Sequence, residues 1–472
     1  MDLRRLQKAL AKDGLRVERD GSFWRLHLTS RPDIPPTEVL LPDDLPLEAK
    51  ALRQLANLAS ASHPSGGRIV RVFASPDFHP GDSGVAIGSV VETEGMVIPL
   101  AVGDDINCGM RLHTIENLAL DEFIAKKPAL IDGLKKVFFS GSRDIVLSGE
   151  ATREMFGGGL RGLLRSQNRS PTGIFKKVDL DRLQVDLNSV YEYGSFHGDP
   201  RWVPADRYSA SSIRDPELGT IGGGNHFLEF LQVDAIEDGA LAWAYGVKKR
   251  QIAFMIHSGS RMIGKAVGKR WAEKAREEWP PGVPYPVGNV FSLSEARSPL
   301  LVDNYLEAEA TAANYGFANR MILSELVKLQ VEDVFGSRLM PLVYDSPHNV
   351  TLQEGTSWVA RKGACPAYLN QPVVVPGSMG AASYLLAGKG KVRSLRSASH
   401  GAGRAKSRLD MHRMDESLLG LSGVECVAIR EDRKIEEAPA GYKDVASVVQ
   451  SQVDQGIVDV VAKLRPLLTF KC

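Results

Sequence analysis

Gln251-Ile-Ala-Phe-Met-Ile-His257-Ser-Gly-Ser-Arg261 is an apolar run that stops on an imidazole and passes at once into a small, polar loop. It reads as a strand whose end delivers His257. The same construction recurs along the chain. Met96-Val-Ile-Pro-Leu-Ala-Val delivers Gly103-Asp-Asp105, Leu339-Met-Pro-Leu-Val-Tyr delivers Asp345 to Asn349, and Pro372-Val-Val-Val delivers Pro376-Gly-Ser-Met379. Arg68-Ile-Val-Arg-Val-Phe alternates like a strand and runs into Pro76-Asp-Phe-His79-Pro-Gly. A rigid sheet that holds chemistry in loops at its strand ends is a common way to build a site. The pattern predicts an α+β fold: a single large catalytic domain with mixed β-sheets and a metal site at strand ends.

Working outward, helical spacing is predicted over Asp2 to Lys12, over Glu48 to Ala59 and, longest, over Val302 to Val334, where Ala310, Ala313, Phe317 and Met321 share one face. Residues 1–60 read as an N-terminal mixed segment with Pro-rich turns between its helices. Residues 140–215 are rich in Gly, Ser and Arg and poorly periodic, which predicts a surface excursion. With neither an internal repeat nor a clear linker, residues 1–472 read as one domain.

The net charge is +1, so no global field advertises nucleic acid or membrane, although a local basic patch stays open. No apolar run reaches the roughly 20 residues that span a bilayer. The start, Met1-Asp-Leu-Arg-Arg-Leu, lacks the apolar centre of a secretory signal. Four cysteines (108, 365, 426 and 472) are too few for a disulfide framework in 472 residues. The expected setting is the reducing cytoplasm, where Cys108 stays free to ligate a metal.

The loops themselves carry the functional signal. Asp105-x-x-Cys108 offers a hard carboxylate and a soft thiolate between Gly103 and Gly109. His226 follows three consecutive glycines, which suit a backbone that approaches a phosphate closely. His257 ends a strand, and His348 sits between Pro347 and Asn349. Pro376-Gly-Ser-Met379 and Ser383 resemble an anion cradle. His400-Gly-Ala-Gly-Arg404 leaves room beside the imidazole, and Arg404 can neutralise phosphate. The basic stretch around it (Lys389, Lys391, Arg393, Arg396, Lys406, Arg408) can track a nucleic-acid backbone or serve only as a solvated face. Taken singly, most of these motifs have a plain structural explanation. Jointly, three His with Asp and Cys suffice for a two-metal site with a shared ligand. That leaves His400 in the loop best suited to a nucleotide phosphate, where it can act as a covalent nucleophile.

Asp105-Ile-Asn-Cys108-Gly, Gly222-Gly-Gly-Asn-His-Phe-Leu-Glu229, His257-Ser-Gly-Ser-Arg, Arg361-Lys-Gly-Ala, Pro376-Gly-Ser-Met-Gly and Ser399-His-Gly-Ala-Gly-Arg together resemble the RtcB family of RNA ligases, in family order from about Pro76 to Lys471. The resemblance implies GTP-dependent, manganese-dependent joining of an RNA 3′-phosphate or 2′,3′-cyclic phosphate to a 5′-hydroxyl, in tRNA splicing or RNA repair. It implies two Mn²⁺ held by Asp105, Cys108, His226, His257 and His348, with Cys108 bridging, and GMP linked to His400. It implies a guanylate pocket of Asn225, His226, Phe227, Leu228, Glu229, His348, Asn349, Pro376, Gly377, Ser378, Met379, Ser383, His400, Gly401, Ala402, Gly403 and Lys471. An archease-type activator is an implied partner, and no membrane is.

Alternatives on the same residues are a two-metal phosphoesterase and a ligation-deficient RNA-binding paralogue. The chain departs from the family wording at Ala360, where His usually precedes Arg-Lys-Gly-Ala, in segments 77–90 and 345–350, and at Lys471-Cys472, where Gly commonly follows the Lys. A divergent repair paralogue is the expectation, with Ala360 weakening transfer or sealing unless a neighbour such as His79 fills the role.

Overall fold

The computed structural model describes residues 3–34, 37–421, 423 and 425–471. Asp2, at the start of the first expected helix, and Cys472 lie outside them. Two large sheets organise the rest. The first has seven strands in the order Leu15–Asp20, Phe23–Leu28, Thr37–Leu40, Arg68–His79, Ile87–Glu94, Ser357–Lys362 and Asn349–Glu354. The second runs Leu342–Pro347, Gly109–Ile115, Ile252–Ser258, Phe227–Ile236, Val458–Lys471, Ser383–Gly388 and Pro372–Val375, with Cys426–Ala428 parallel to Val458–Lys471. The α+β expectation holds, and each sheet is mixed. Among the described residues no helix is long and apolar enough to cross a membrane.

The chain passes from one sheet to the other at His348. Pro347 is the last residue of a strand in the second sheet, and Asn349 is the first of a strand in the first. Antiparallel hydrogen bonds fix the register on both sides, so His348 is held where the sheets meet.

Residues 1–60 hold more than the two helices that their spacing suggested. Helices Leu3–Ala11 and Ala49–Ala59 flank three strands that extend the first sheet. The Met96 run stays a strand only through Val97. Pro99, which cannot donate to a ladder, opens a 3₁₀ turn instead.

The longest helix spans Pro299–Phe335. Ser298 caps it by accepting the Leu301 amide, and Pro299 occupies its first turn. The one-face expectation is corrected here: every residue from Thr311 to Lys328 is buried. Small residues (Ala312, Ala313, Gly316, Ala318) let neighbours approach on all sides, while Asn314, Asn319 and Arg320 bond to surrounding backbone. One neighbour is the supposed surface excursion, and that reading is also corrected. Helix Gly149–Arg169 buries Met155, Phe156, Leu160, Leu163 and Leu164 in the main apolar cluster. A kink at Gly158 and Gly159 breaks its period, which hid it in the sequence. Asn314 Nδ2 donates to Phe156 O and Phe196 O (both 2.9 Å), fastening this segment to the long helix.

Candidate metal and nucleotide site

Strand register brings the sequence-distant ligands together. Met110 and Phe227 both pair with His257, one on each side, and Pro347 pairs with Gly109. Cys108, His226 and His348 each sit one residue off those paired positions, so these four expected ligands meet at one end of the second sheet. The His348 amide donates to Cys108 O at 2.8 Å. Asp105 belongs to the same loop, its carbonyl accepting the Cys108 amide at 3.0 Å.

The donor atoms form a chain with the thiol in the middle. Cys108 Sγ lies 3.1 Å from His226 Nε2 and 3.1 Å from His257 Nε2. His226 Nε2 lies 3.1 Å from Asp105 Oδ2, and His257 Nε2 lies 3.3 Å from His348 Nε2. Donors about 2.0–2.3 Å from a shared tetrahedral ion stand roughly 3.5 Å apart, so these spacings fit metal ligation. His257 Nδ1 contacts Asn225 O (3.1 Å), which fixes Nε2 as the lone-pair donor.

The electrostatics also fit a cation. Burial, then Asp105, push the Cys108 thiol well above its ordinary pKa. Desolvation favours the neutral form of Asp105, but His226, Cys108 and His257 outweigh it and bring its pKa to about 2. Burial, then the neighbouring imidazoles, lower His257 and His348. Neutral imidazoles and a thiol that ionises only against positive charge are what a metal requires. A carboxylate, a thiolate and imidazoles suit Mn, Fe or Zn.

His400 stands beside this cluster, its ring 4.7 Å from that of His348. It belongs to a different support. His400 Nδ1 donates to Asp77 Oδ2 at 2.6 Å, and its backbone amide reaches the same oxygen at 3.2 Å. Ser75 Oγ donates to Asp77 Oδ1 at 2.5 Å. Burial of Asp77 raises its pKa, but His400 and Ser75 more than reverse this, so the carboxylate stays charged. Lys443 Nζ donates to Pro76 O (3.0 Å) and Phe78 O (2.5 Å) on either side of it. Gly403 must be glycine: its φ is +75°, and a Cβ there would stand 2.1 Å from Asp77 O. Asp77 was not singled out in the sequence. Its one signal was a carboxylate between Pro76 and Phe78 at the end of a strand-like run.

Both groups open on a cavity of about 880 Å³. All five expected metal ligands line it. So do all the expected guanylate-pocket residues except Leu228 and Ser383. Strand alternation turns Leu228 into an apolar cluster with Phe254 and Ile256. Ser383 is buried behind the Pro376 turn and accepts the Gly377 amide at 3.1 Å.

A family model described as tRNA-splicing ligase RtcB matches residues 54–472. The chain belongs to the RtcB family. It is 34% identical to the tRNA-splicing ligase RtcB of Thermococcus kodakarensis, over 89% of this chain and 90% of that one. It is 29% identical to the archaeal protein of the same name from Nanoarchaeum equitans, over 96% and 98%. It is 32% identical to the RNA-splicing ligase RtcB of Mycobacterium tuberculosis, over 84% and 96%.

In this RtcB-family chain the cavity lining also includes Glu437 and Tyr442, which the sequence motifs did not announce. Tyr442 Oη donates to Asn225 Oδ1 at 3.0 Å and also bonds Glu437. Burial raises the pKa of Glu229 to about 7, and its carboxyl accepts Thr469 Oγ1 at 2.8 Å. Lys471 is 3% exposed, and burial lowers its pKa.

Three expectations are corrected here. Arg404 is not free for phosphate, because it donates to Glu437 (3.1 Å) and to Glu436 O (2.9 Å). The basic stretch is no continuous track. Lys389 pairs with Asp459, Arg393 with Glu38, Arg396 with Glu354 and Arg408 with Glu437. The first of the three glycines serves packing: a Cβ on Gly222 would meet Arg261 at 1.8 Å and His226 Nδ1 at 2.9 Å. Ala360 is 6% exposed in the main apolar cluster and is not on the cavity wall, whereas His79 is.

Proposed function

We propose that this RtcB-family RNA ligase uses GTP and manganese to join an RNA 3′-phosphate or 2′,3′-cyclic phosphate end to a 5′-hydroxyl end, through GMP carried on His400. The observation that carries this reading is the pairing of His400 with buried Asp77, beside a ready-made metal-ligand cluster in one cavity. A proton on Nδ1 satisfies Asp77 and leaves the Nε2 lone pair to attack. The N–P bond forms at the α-phosphorus of GTP as the bond to pyrophosphate breaks. Asp77 stabilises the positive ring that results. The phosphoramidate is high in energy, so GMP passes to an RNA 3′-phosphate oxygen. The 5′-hydroxyl then attacks that phosphorus and GMP leaves. A cyclic phosphate is first opened by water. Manganese held by Asp105, Cys108, His226, His257 and His348 would neutralise charge on the phosphates.

A phosphoesterase built on the same ligands would use the His400–Asp77 pair only as a general acid or base and would carry no GMP on it. The test is incubation with α-labelled GTP and Mn²⁺, followed by a denaturing gel. Acid-labile, alkali-stable label is expected on the wild type and none on His400→Ala. Equal labelling of that variant would overturn the assignment. A cytoplasmic setting and an archease-type activator belong to the same reading; the second is tested by whether multiple turnover requires the added partner.

A further inference from the structure

One guanidinium, deep behind the cavity, touches the backbone of the separate loops that carry the metal ligands. Arg320 is fully buried in the middle of the long helix. Its Nε donates to Asp345 Oδ1 (2.8 Å). Its Nη1 donates to Asn107 O (2.6 Å) and Ser258 O (3.0 Å), and its Nη2 donates to Asn107 Oδ1 (3.0 Å). Asn107 immediately precedes Cys108, and Ser258 immediately follows His257. Asp345 lies three residues before His348 in the strand that delivers it, and Arg111 holds its other oxygen at 3.1 Å. The preceding residue of the helix, Asn319, ties Gly259 O, two residues past His257, and Thr220 O on the segment that leads to His226 (both 3.1 Å).

We propose that Arg320 is the positioning residue of the metal centre, the group that sets the spacing of Cys108, His257 and His348 and thereby its metal affinity. A buried charge pair is a poor device for stability alone, since apolar replacements often do as well. What arginine offers is a rigid planar fork with five donors, able to fix several acceptors in one plane; a lysine ammonium is a point charge on a flexible stem. The surroundings are fitted to it. A Cβ on Gly109, next to Cys108, would stand 2.9 Å from the guanidinium carbon. Asn107 holds a left-handed backbone (φ 52°) that presents its carbonyl and its side-chain oxygen to the same fork. Loosening this outer support weakens metal binding without removing a ligand.

The inference rests on the metal-centre reading above, and its test separates the two. Mn²⁺ affinity is measured on the full chain from the electron paramagnetic resonance of free Mn²⁺. Co²⁺ is added in parallel for its thiolate-to-metal charge-transfer band, and the metal-free proteins are melted. Arg320→Lys is expected to lower Mn²⁺ affinity by about 10–100-fold and to alter the Co²⁺–thiolate band. Asn107→Gly accepts the backbone conformation and leaves the Arg320–Asp345 pair intact, so a smaller, several-fold loss is expected. A folded Arg320→Lys with unchanged affinity and an unchanged band overturns the proposal, whatever its melting temperature. If Arg320→Lys does not fold, unchanged affinity in Asn107→Gly overturns it. A wild type that binds neither ion sinks the metal-centre reading, and this proposal with it.

Discussion

The floor of the cavity and its wall are supported in opposite ways. The floor, with Cys108, His226, His257 and His348, hangs from adjacent strands of one sheet and is backed by a fully buried guanidinium that bonds to several loops at once. The wall presents His400 from a short loop, and its orientation rests chiefly on one carboxylate, Asp77, from the other sheet. A metal-ligand set needs fixed distances. A residue that takes on and gives up a nucleotide, as proposed for His400, needs a fixed tautomer and room to move. The floor is over-determined and the wall singly supported, and this difference makes their roles separable by mutation.

The largest expected effect is at the floor. Cys108 is the central donor, 3.1 Å from two imidazole nitrogens, so Cys108→Ala removes the ligand that both halves of the cluster share. Bound Mn and guanylylation should both fall to background, as read by metal analysis and labelled GTP. A variant with near-normal turnover and two Mn per chain would dissolve the shared-ligand picture.

The wall should respond differently. Asp77→Leu keeps the bulk but removes the acceptor of the His400 Nδ1 proton, so the tautomer that leaves the lone pair on Nε2 is no longer held. Guanylylation should drop by about 10²–10⁴-fold, the scale seen when a histidine is held in the wrong tautomer, while Mn²⁺ affinity stays within about twofold of wild type. If metal affinity fell in step with guanylylation, floor and wall would be one unit and the contrast would fail.

The same contrast explains what the sequence disclosed. Floor residues announced themselves because each candidate ligand stands beside a Gly- or Pro-marked loop next to an apolar run, and ligand chemistry is confined to a few residue types. Their supports did not. Arg320 and Asn319 lie in a helix whose polar residues looked like a solvent face, since periodicity cannot tell a hydrogen-bonded interior from water. Asp77 and Lys443 are 366 positions apart and meet only because the loop before helix Val445–Asp454 folds against the strand Arg68–His79. Glu437 and Tyr442 follow the recognisable His400 motif in a stretch with no regular period. The segment 140–215 was misjudged because glycines that permit a kink also erase the helical repeat.

A weaker test probes the rigidity behind the floor. Glu309, also in the long helix, accepts the Thr351 amide at 2.5 Å. Burial raises its pKa from 4.5 to about 7. The folded state therefore holds this proton more tightly than the unfolded chain does. The contribution is fully present below about pH 4.5 and is lost as pH rises to about 7. At about 1.4 kcal/mol per tenfold in proton affinity, the difference amounts to roughly 3 kcal/mol at most. Glu309→Gln should match wild type in urea at pH 4.5 and exceed it at pH 8. Parallel stabilities at the two pH values would mean that the carboxyl is better solvated than its burial implies.

The smallest effect concerns the wall's neighbour, Ala360. The family wording places a histidine here, and the sequence alone suggested that restoring it would speed sealing. Geometry argues otherwise. Ala360 pairs with Val91 on one side and Thr351 on the other, is 6% exposed and belongs to the main apolar cluster. Two residues on, Lys362 reaches the cavity and donates to Ser83 Oγ at 2.5 Å, so the strand does supply the site, but from a different position. An imidazole at residue 360 must displace packed apolar atoms and find partners for two ring nitrogens. The expected result is a loss of about 1–3 kcal/mol in stability and no gain in sealing rate, measured in a single turnover from pre-formed His400–GMP. His79 lines the cavity, and His79→Ala is the variant expected to slow sealing. Faster sealing by Ala360→His would require the strand to repack and swing the ring into the cavity. The wall would then be even more yielding than its single carboxylate support suggests, and the contrast with the floor would be sharper.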